Sequence, residues 1–130
     1  DRQNNLTSLD GGIRDVKFDS TGDKALIVTD TDVRVLWLEA NPLQPFQKKG
    51  ERELIFQSGE KIEDVAWFYG DNAHAVFQTS EGIFITETDG RGGRNTFELF
   101  RGTTDDFFTS PDEPNRIFGK QNKIWYSIEL

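Results

Sequence analysis

Acidic side chains and one imidazole are the groups in this chain with the most capacity for chemistry: Asp and Glu number 23 and His only 1. Acids occur in close pairs at Asp30/Asp32, Glu51/Glu53 and Asp105/Asp106. Glycoside hydrolysis needs two carboxyl groups about 5–10 Å apart across a pocket. Acids in turns reach that spacing by accident, so the pairs alone designate no site. Thr29-Asp30-Thr31-Asp32 offers oxygen ligands of the kind Ca²⁺ takes, but it lacks an Asp-x-Asp-x-Asp-Gly loop and reads more simply as a hairpin turn. His74 cannot build a multi-histidine metal site, and any Ser-His-Asp triad would have to use it. Inside an apolar strand, Ala73–Thr79, it reads as a satisfied strand histidine. Cysteine is absent, which removes disulfides, thiolate metal sites and cysteine nucleophiles. No catalytic, cofactor-binding or metal-ligating residue is assigned, and the chain reads as a non-enzyme without a cofactor.

Three aspartates stand out by position. Asp15, Asp64 and Asp106 follow one another at intervals of 49 and 42 residues. Each opens or lies within a segment of the same design: Ile13–Phe18, Ile62–Trp67 and Asp106–Thr109. Either they line one rim as an acidic collar, or each caps local amides where one strand bends into the next.

The elements that position them repeat as well. After each aspartate segment comes a turn, then an apolar run, then an alternating strand. The apolar runs are Ala25–Thr29, Ala75–Thr79 and Arg116–Phe118; the alternating strands are Val33–Leu38, Ile83–Glu87 and Lys123–Ile128. A further strand precedes each aspartate: Asn5-Leu6-Thr7-Ser8-Leu9, then Glu53–Phe56, then Thr96–Leu99. Turns fall at matching places, Asp19–Asp23, Tyr69–Asn72 and Ser110–Pro114, and are built from Gly, Asn, Asp and Pro as hairpins require. Four short strands per roughly 40–50 residues is the pattern of β-propeller blades. The expected fold is all-β: one segment, residues 1–130, of three four-stranded repeats at about 5–50, 51–92 and 93–130. Trp67 and Trp125 read mainly as core.

Composition narrows the partners. A net charge of −8 argues against nucleic acid, whose binding rests on clustered Lys and Arg; it serves solubility or offers an acidic face to a basic partner. No apolar window long enough to span a membrane occurs. Asn41–Gly50, with Pro42 and Pro45, reads as an exposed loop between blades. Asp89–Asn95 has the glycines and arginines of a phosphate cradle, but a strand rather than a helix should follow, so a bend is the better reading.

With strands labelled A to D outward from a propeller axis, the chain runs D-A-B-C three times. Its first strand, Asn5 to Leu9, completes a blade whose other members are missing; its last, containing Ile124, Trp125, Tyr126 and Ile128, belongs to a blade lacking its outermost strand. The two defects are complementary. Three blades are too few for a ring, since propellers have about four or more. The expected partner is therefore a second copy, a head-to-tail homodimer of six blades, or the missing blades of a parent chain. A chain starting at Asp1 and containing no Met is expected to be a processed product or an excised segment.

Asp15-Val16-Lys17-Phe18-Asp19-Ser20-Thr21-Gly22-Asp23 resembles the V-x-W-S-P-D-G turn of WD40-like and TolB-like propeller repeats, and Phe107-Phe108-Thr109-Ser110-Pro111-Asp112 resembles it more closely. Ile62–Trp67, Gly82–Asp89 and Arg91–Asn95 are similar to propellers of bacterial envelope proteins that also carry PEGA domains. The Gly-His and Trp-Asp dipeptides of classical WD40 repeats are absent. The resemblance implies a scaffolding or protein-binding role in the cell envelope or outside the cell and carries over no catalytic residue. The rival expectation is a fragment of an enzyme propeller, carbohydrate-processing or similar, whose active residues lie elsewhere.

Overall fold

The computed structural model describes residues 11–42 and 47–130. The expected strand Asn5–Leu9 and residues 43–46 of the proline-containing loop lie outside the described residues.

Alternating and continuous apolar runs become strands, and no helix forms among the described residues. The strands are β1 (Asp15–Phe18), β2 (Lys24–Val28), β3 (Asp32–Trp37), β4 (Arg52–Gln57), β5 (Asp64–Phe68), β6 (His74–Thr79), β7 (Gly82–Glu87), β8 (Thr96–Arg101), β9 (Asp106–Ser110), β10 (Glu113–Gln121) and β11 (Ile124–Glu129). They form three antiparallel meanders in chain order: β1-β2-β3-β4, β5-β6-β7-β8 and β9-β10-β11. The protein is all-β.

The repetition extends to register. Asp15, Asp64 and Asp106 pair with Val28, Gln78 and Lys120, so each aspartate holds the same place in its sheet. The third and fourth strands carry a register shift at the same place in both complete sheets, between Val33 and Arg34 and between Ile83 and Phe84. Such a bulge bends and further twists the strand that carries it.

The first hairpin turns use one device with different residues. The buried Asp19 carboxylate accepts from the amides of Gly22 (2.8 Å) and Asp23 (3.2 Å) and from the Thr21 hydroxyl (3.0 Å). Asp71 accepts from the amide of Ala73 (2.8 Å), and Ser110 Oγ from that of Asp112 (3.1 Å). Short polar side chains thus satisfy the amides that the tight turns leave unpaired. One expected boundary is corrected: the strand placed at Arg116–Phe118 begins at Glu113. The turn narrows to Pro111-Asp112 because Ser110 pairs with Glu113, and Pro114, which has no amide hydrogen, falls where the ladder slips before Ile117.

Sheet-on-sheet packing makes two cores. Between the first and second sheets lie Leu26, Val28, Val33 and Val35 against Val65, Trp67, Ala75 and Phe77. Between the second and third lie Val76, Ile83, Ile85 and Phe100 against Phe107 and Ile117. The middle sheet is therefore buried on both faces, which is why β6 is buried from Ala75 to Thr79 and reads as a continuous apolar run. Hydrogen bonds cross both seams: the Trp67 indole N–H donates to the Lys17 carbonyl (2.7 Å), and the Thr109 hydroxyl donates to the Trp67 carbonyl (2.8 Å).

Candidate functional site

The three aspartates are positioned by the start of the first strand in each sheet. In each, the carboxylate accepts from the next residue's amide at 2.8 Å: Val16 to Asp15, Val65 to Asp64 and Phe107 to Asp106. The local capping that the sequence suggested is thus present in all three. The aspartates also have neighbours in the adjacent repeat. Lys17 Nζ lies 3.1 Å from Asp64 Oδ1 and 3.7 Å from Asp15 Oδ2, bridging two sheets. Asp64 and Asp106 share a cleft of about 390 Å³ with Glu63, Gln78, Thr104 and Asp105. Gln78 Nε2 is committed there to the Thr104 carbonyl (3.0 Å) and hydroxyl (2.8 Å).

The other acids are held mainly by cations of the chain itself. Asp30 pairs with Arg14 and Asp32 with Arg34, each at 3.1 Å, so the two carboxylates of this pair serve different arginines. Glu53 pairs with Arg94 at 2.5 Å. Asp105 accepts from the Lys123 amide at 3.0 Å. Among the described residues no group of three or more His, Asp or Glu side chains is arranged to hold a metal ion. His74 Nδ1 lies 2.7 Å from Asp71 Oδ2 beside the edge of Phe68.

The Asp89–Asn95 loop is a bend that leads into β8. Arg91 folds back on Asp89 (2.6 Å), an exposed contact whose hydrogen bonds hold the Asp89 carboxyl below its ordinary range. Arg94 donates to the Leu54 and Thr88 carbonyls besides pairing with Glu53. Both guanidinium groups are thereby engaged by partners in the same chain.

Lys24 was not anticipated as a special residue. Its ammonium lies over the rings of Trp37 and Trp67, 5.2 Å from each centroid, donates to the Asn72 carbonyl and approaches Asp19 Oδ2 at 4.0 Å. Burial lowers its pKa, against the raising influence of Asp19, Asp71 and Asp23. The only sequence signal is a lysine opening an apolar strand in a chain with few tryptophans.

The ends of the stack are the remaining chemically distinctive surfaces. Val65 and Trp67 of β5, like Phe107 of β9, are the residues that pack onto the preceding sheet. By register their counterparts in β1 are Val16 and Phe18, and Phe18 is 58% exposed where Trp67 is 0%. At the opposite end Phe108 stacks on Phe118 (4.7 Å between centroids, 11°) and meets Trp125 edge-on (5.3 Å). By register, these three take the places that Ala66, Val76 and Ile83 hold under the third sheet. Of the expected association residues, Trp125 belongs to this outward cluster, while Ile128 packs inward on the second core. Ile124 and Tyr126 are exposed on β11, an edge strand among the described residues. Asn5, Leu6, Thr7, Ser8 and Leu9 lie outside the described residues.

These features define an all-β stack of three antiparallel sheets with Phe18 exposed at one end and an aromatic cluster of Phe108, Phe118 and Trp125 at the other. No family model, curated protein or solved structure matches the chain.

Proposed function

We propose that the three sheets are propeller blades and that the chain is a non-enzymatic scaffold or protein-binding module. Two copies join head to tail into a six-bladed ring, with Asn5–Leu9 of each copy pairing along β11 of the other. The WD40-like and TolB-like resemblance of the repeats belongs to this reading. Asp15, Asp64 and Asp106 then face the axis as a shared acidic rim.

The observation that carries the reading is the deficit in the third sheet: among the described residues it has three strands where the other two have four, with β11 as its edge. Exposed strand edges invite pairing with another chain. The end surfaces support it, because Phe18 at one end and Phe108, Phe118 and Trp125 at the other hold positions that are buried at the internal seams. A second copy would continue an interface the molecule already uses twice.

Light scattering after gel filtration, over a concentration series, tests the proposal. A stable species of twice the protomer mass is expected, and deletion of residues 1–9 should convert it to protomer. A protomer at all concentrations, or a dimer indifferent to the deletion, would remove strand exchange between copies.

A further inference from the structure

The two internal seams share one register, and one of the positions at which they differ lies beside a cleft. At the second seam Gly119 faces Phe100: a Cβ on Gly119 would stand 2.9 Å from ring atoms of Phe100, so the ring lies directly on the strand. Phe100 is accordingly buried. At the first seam the register equivalents are Phe77 for Gly119 and Phe56 for Phe100, since Val65 pairs with Phe77 as Phe107 does with Gly119, and Val33 with Phe56 as Ile83 does with Phe100. A benzyl group therefore fills the space into which Phe56 would sink. Phe56 instead stacks on Phe77, centroids 3.9 Å apart at 29°, and Phe84 stacks on Phe77 at 5.4 Å and 18°.

The result is a cleft of about 520 Å³ with these three rings, Glu60, Glu81 and Thr79 in its lining. Its size is that of a pocket for a small group or a peptide side chain. The wall is fixed in place: the Ser58 amide donates to the Thr31 carbonyl (2.7 Å), the Glu60 amide to Ser58 Oγ (3.1 Å), and Ser80 Oγ to Glu60 Oε2 (2.6 Å). The Glu81 carboxylate makes no hydrogen bond or ion pair to the described residues, and no lysine or arginine lines the cleft.

We propose that this cleft binds an arginine side chain of a basic peptide segment. Aromatic faces attract cations, and a guanidinium plane stacks on them better than a compact ammonium does. Carboxylates beside the rings offer the acceptors that guanidinium N–H groups match in pairs. A neutral apolar group would desolvate the two acids with nothing to compensate them, which argues against it as occupant. The net charge of −8 brings basic segments toward the molecule. The proposal deepens the protein-binding reading by naming the kind of partner. It does not depend on ring closure, because the cleft is complete within one chain.

The test is a titration with acetyl-Gly-Arg-Gly-amide, and with its Lys and Gln counterparts, followed by NMR shifts of the labelled protein. The Arg peptide should move Phe56, Phe84 and Glu81 resonances in a saturable way, at least threefold tighter than the Lys peptide, with the Gln peptide inert. Glu60→Gln with Glu81→Gln should weaken binding by tenfold or more while leaving the melting temperature within a few degrees. Equal binding of the Gln or Lys peptide, shifts located elsewhere, or affinity unchanged in the double variant would each overturn the assignment. A protomeric mass in light scattering would leave it standing, so failure of the ring and failure of the cleft are separable.

Discussion

Gly82 opens β7 with φ of 149°, and a Cβ there would stand 2.0 Å from the carbonyl oxygen of Phe100 in the neighbouring strand. That contact is backbone, so no side-chain rotation relieves it. Gly82→Ala should destabilise by about 2–3 kcal/mol, as overpacking of a close contact does, seen as a lower urea midpoint with unchanged slope. Lys24 gives a second prediction with a pH signature. Its folded-state pKa lies below the ordinary lysine value because burial outweighs the nearby acids. The unfolded chain therefore holds the proton more tightly between the two values. The group's contribution is lost as pH falls through the lowered value and is fully present only above 10.5. Lys24→Met keeps a long apolar stem between Trp37 and Trp67. The stability of the native chain relative to this variant should rise as pH climbs toward 10.5, measured by urea unfolding. A difference that stays flat with pH would mean that Lys24 titrates like a solvated lysine.

At the scale of strands and sheets, the seams are held by cores together with side-chain-to-backbone hydrogen bonds, among them Trp67 to the Lys17 carbonyl and Thr109 to the Trp67 carbonyl. Thr109→Val removes the donor to the Trp67 carbonyl at nearly constant volume, so a loss of about 1 kcal/mol is expected. Trp67→Phe removes the indole N–H from the Lys17 carbonyl and leaves a gap in the first core, so its loss should be larger, about 2–3 kcal/mol. Equal losses would mean that the hydrogen bond, not the buried ring, dominates the first seam. These elements were largely legible in the sequence, because a strand buried on both faces must be apolar in a run, as Ala75–Phe77 is, and one strand pairing with its neighbour needs turn residues at a fixed spacing. The start of β10 was less legible: Pro114 signals a turn, yet the ladder slips around it and the strand continues. The cleft was not legible at all. Phe77 and Gly119 look unrelated in the chain and become equivalent only when strand register sets each against the preceding sheet. The recurring aspartates were found from spacing alone, but spacing could not separate a cap from a rim. The 2.8 Å amide contacts show that all three carboxylates cap locally, and Lys17 bridges Asp15 and Asp64.

The molecule as a whole has a front, where Phe18 is exposed, and a back, where Phe108 is 45% exposed beside Phe118 and Trp125. Front and back are different surfaces, and in the proposed ring this decides how two copies would join. In a closed head-to-tail pair both junctions are the same front-to-back contact, so a charge on either surface damages both junctions at once. Phe18→Asp and Phe108→Asp should therefore each give a protomer by light scattering, with circular dichroism confirming that the sheets remain. Mixing the two variants has a distinct consequence. The mixed pair contains one junction with both charges and one junction with none, so the undamaged contact can re-form. Species of twice the protomer mass should reappear in the mixture, with a weaker dissociation constant than the native pair. A front-to-front pair would behave differently: Phe18→Asp would break it, Phe108→Asp would leave it intact, and mixing would restore nothing that Phe108→Asp alone lacked. The pattern across two variants and their mixture thus reads the symmetry of the assembly directly from masses in solution.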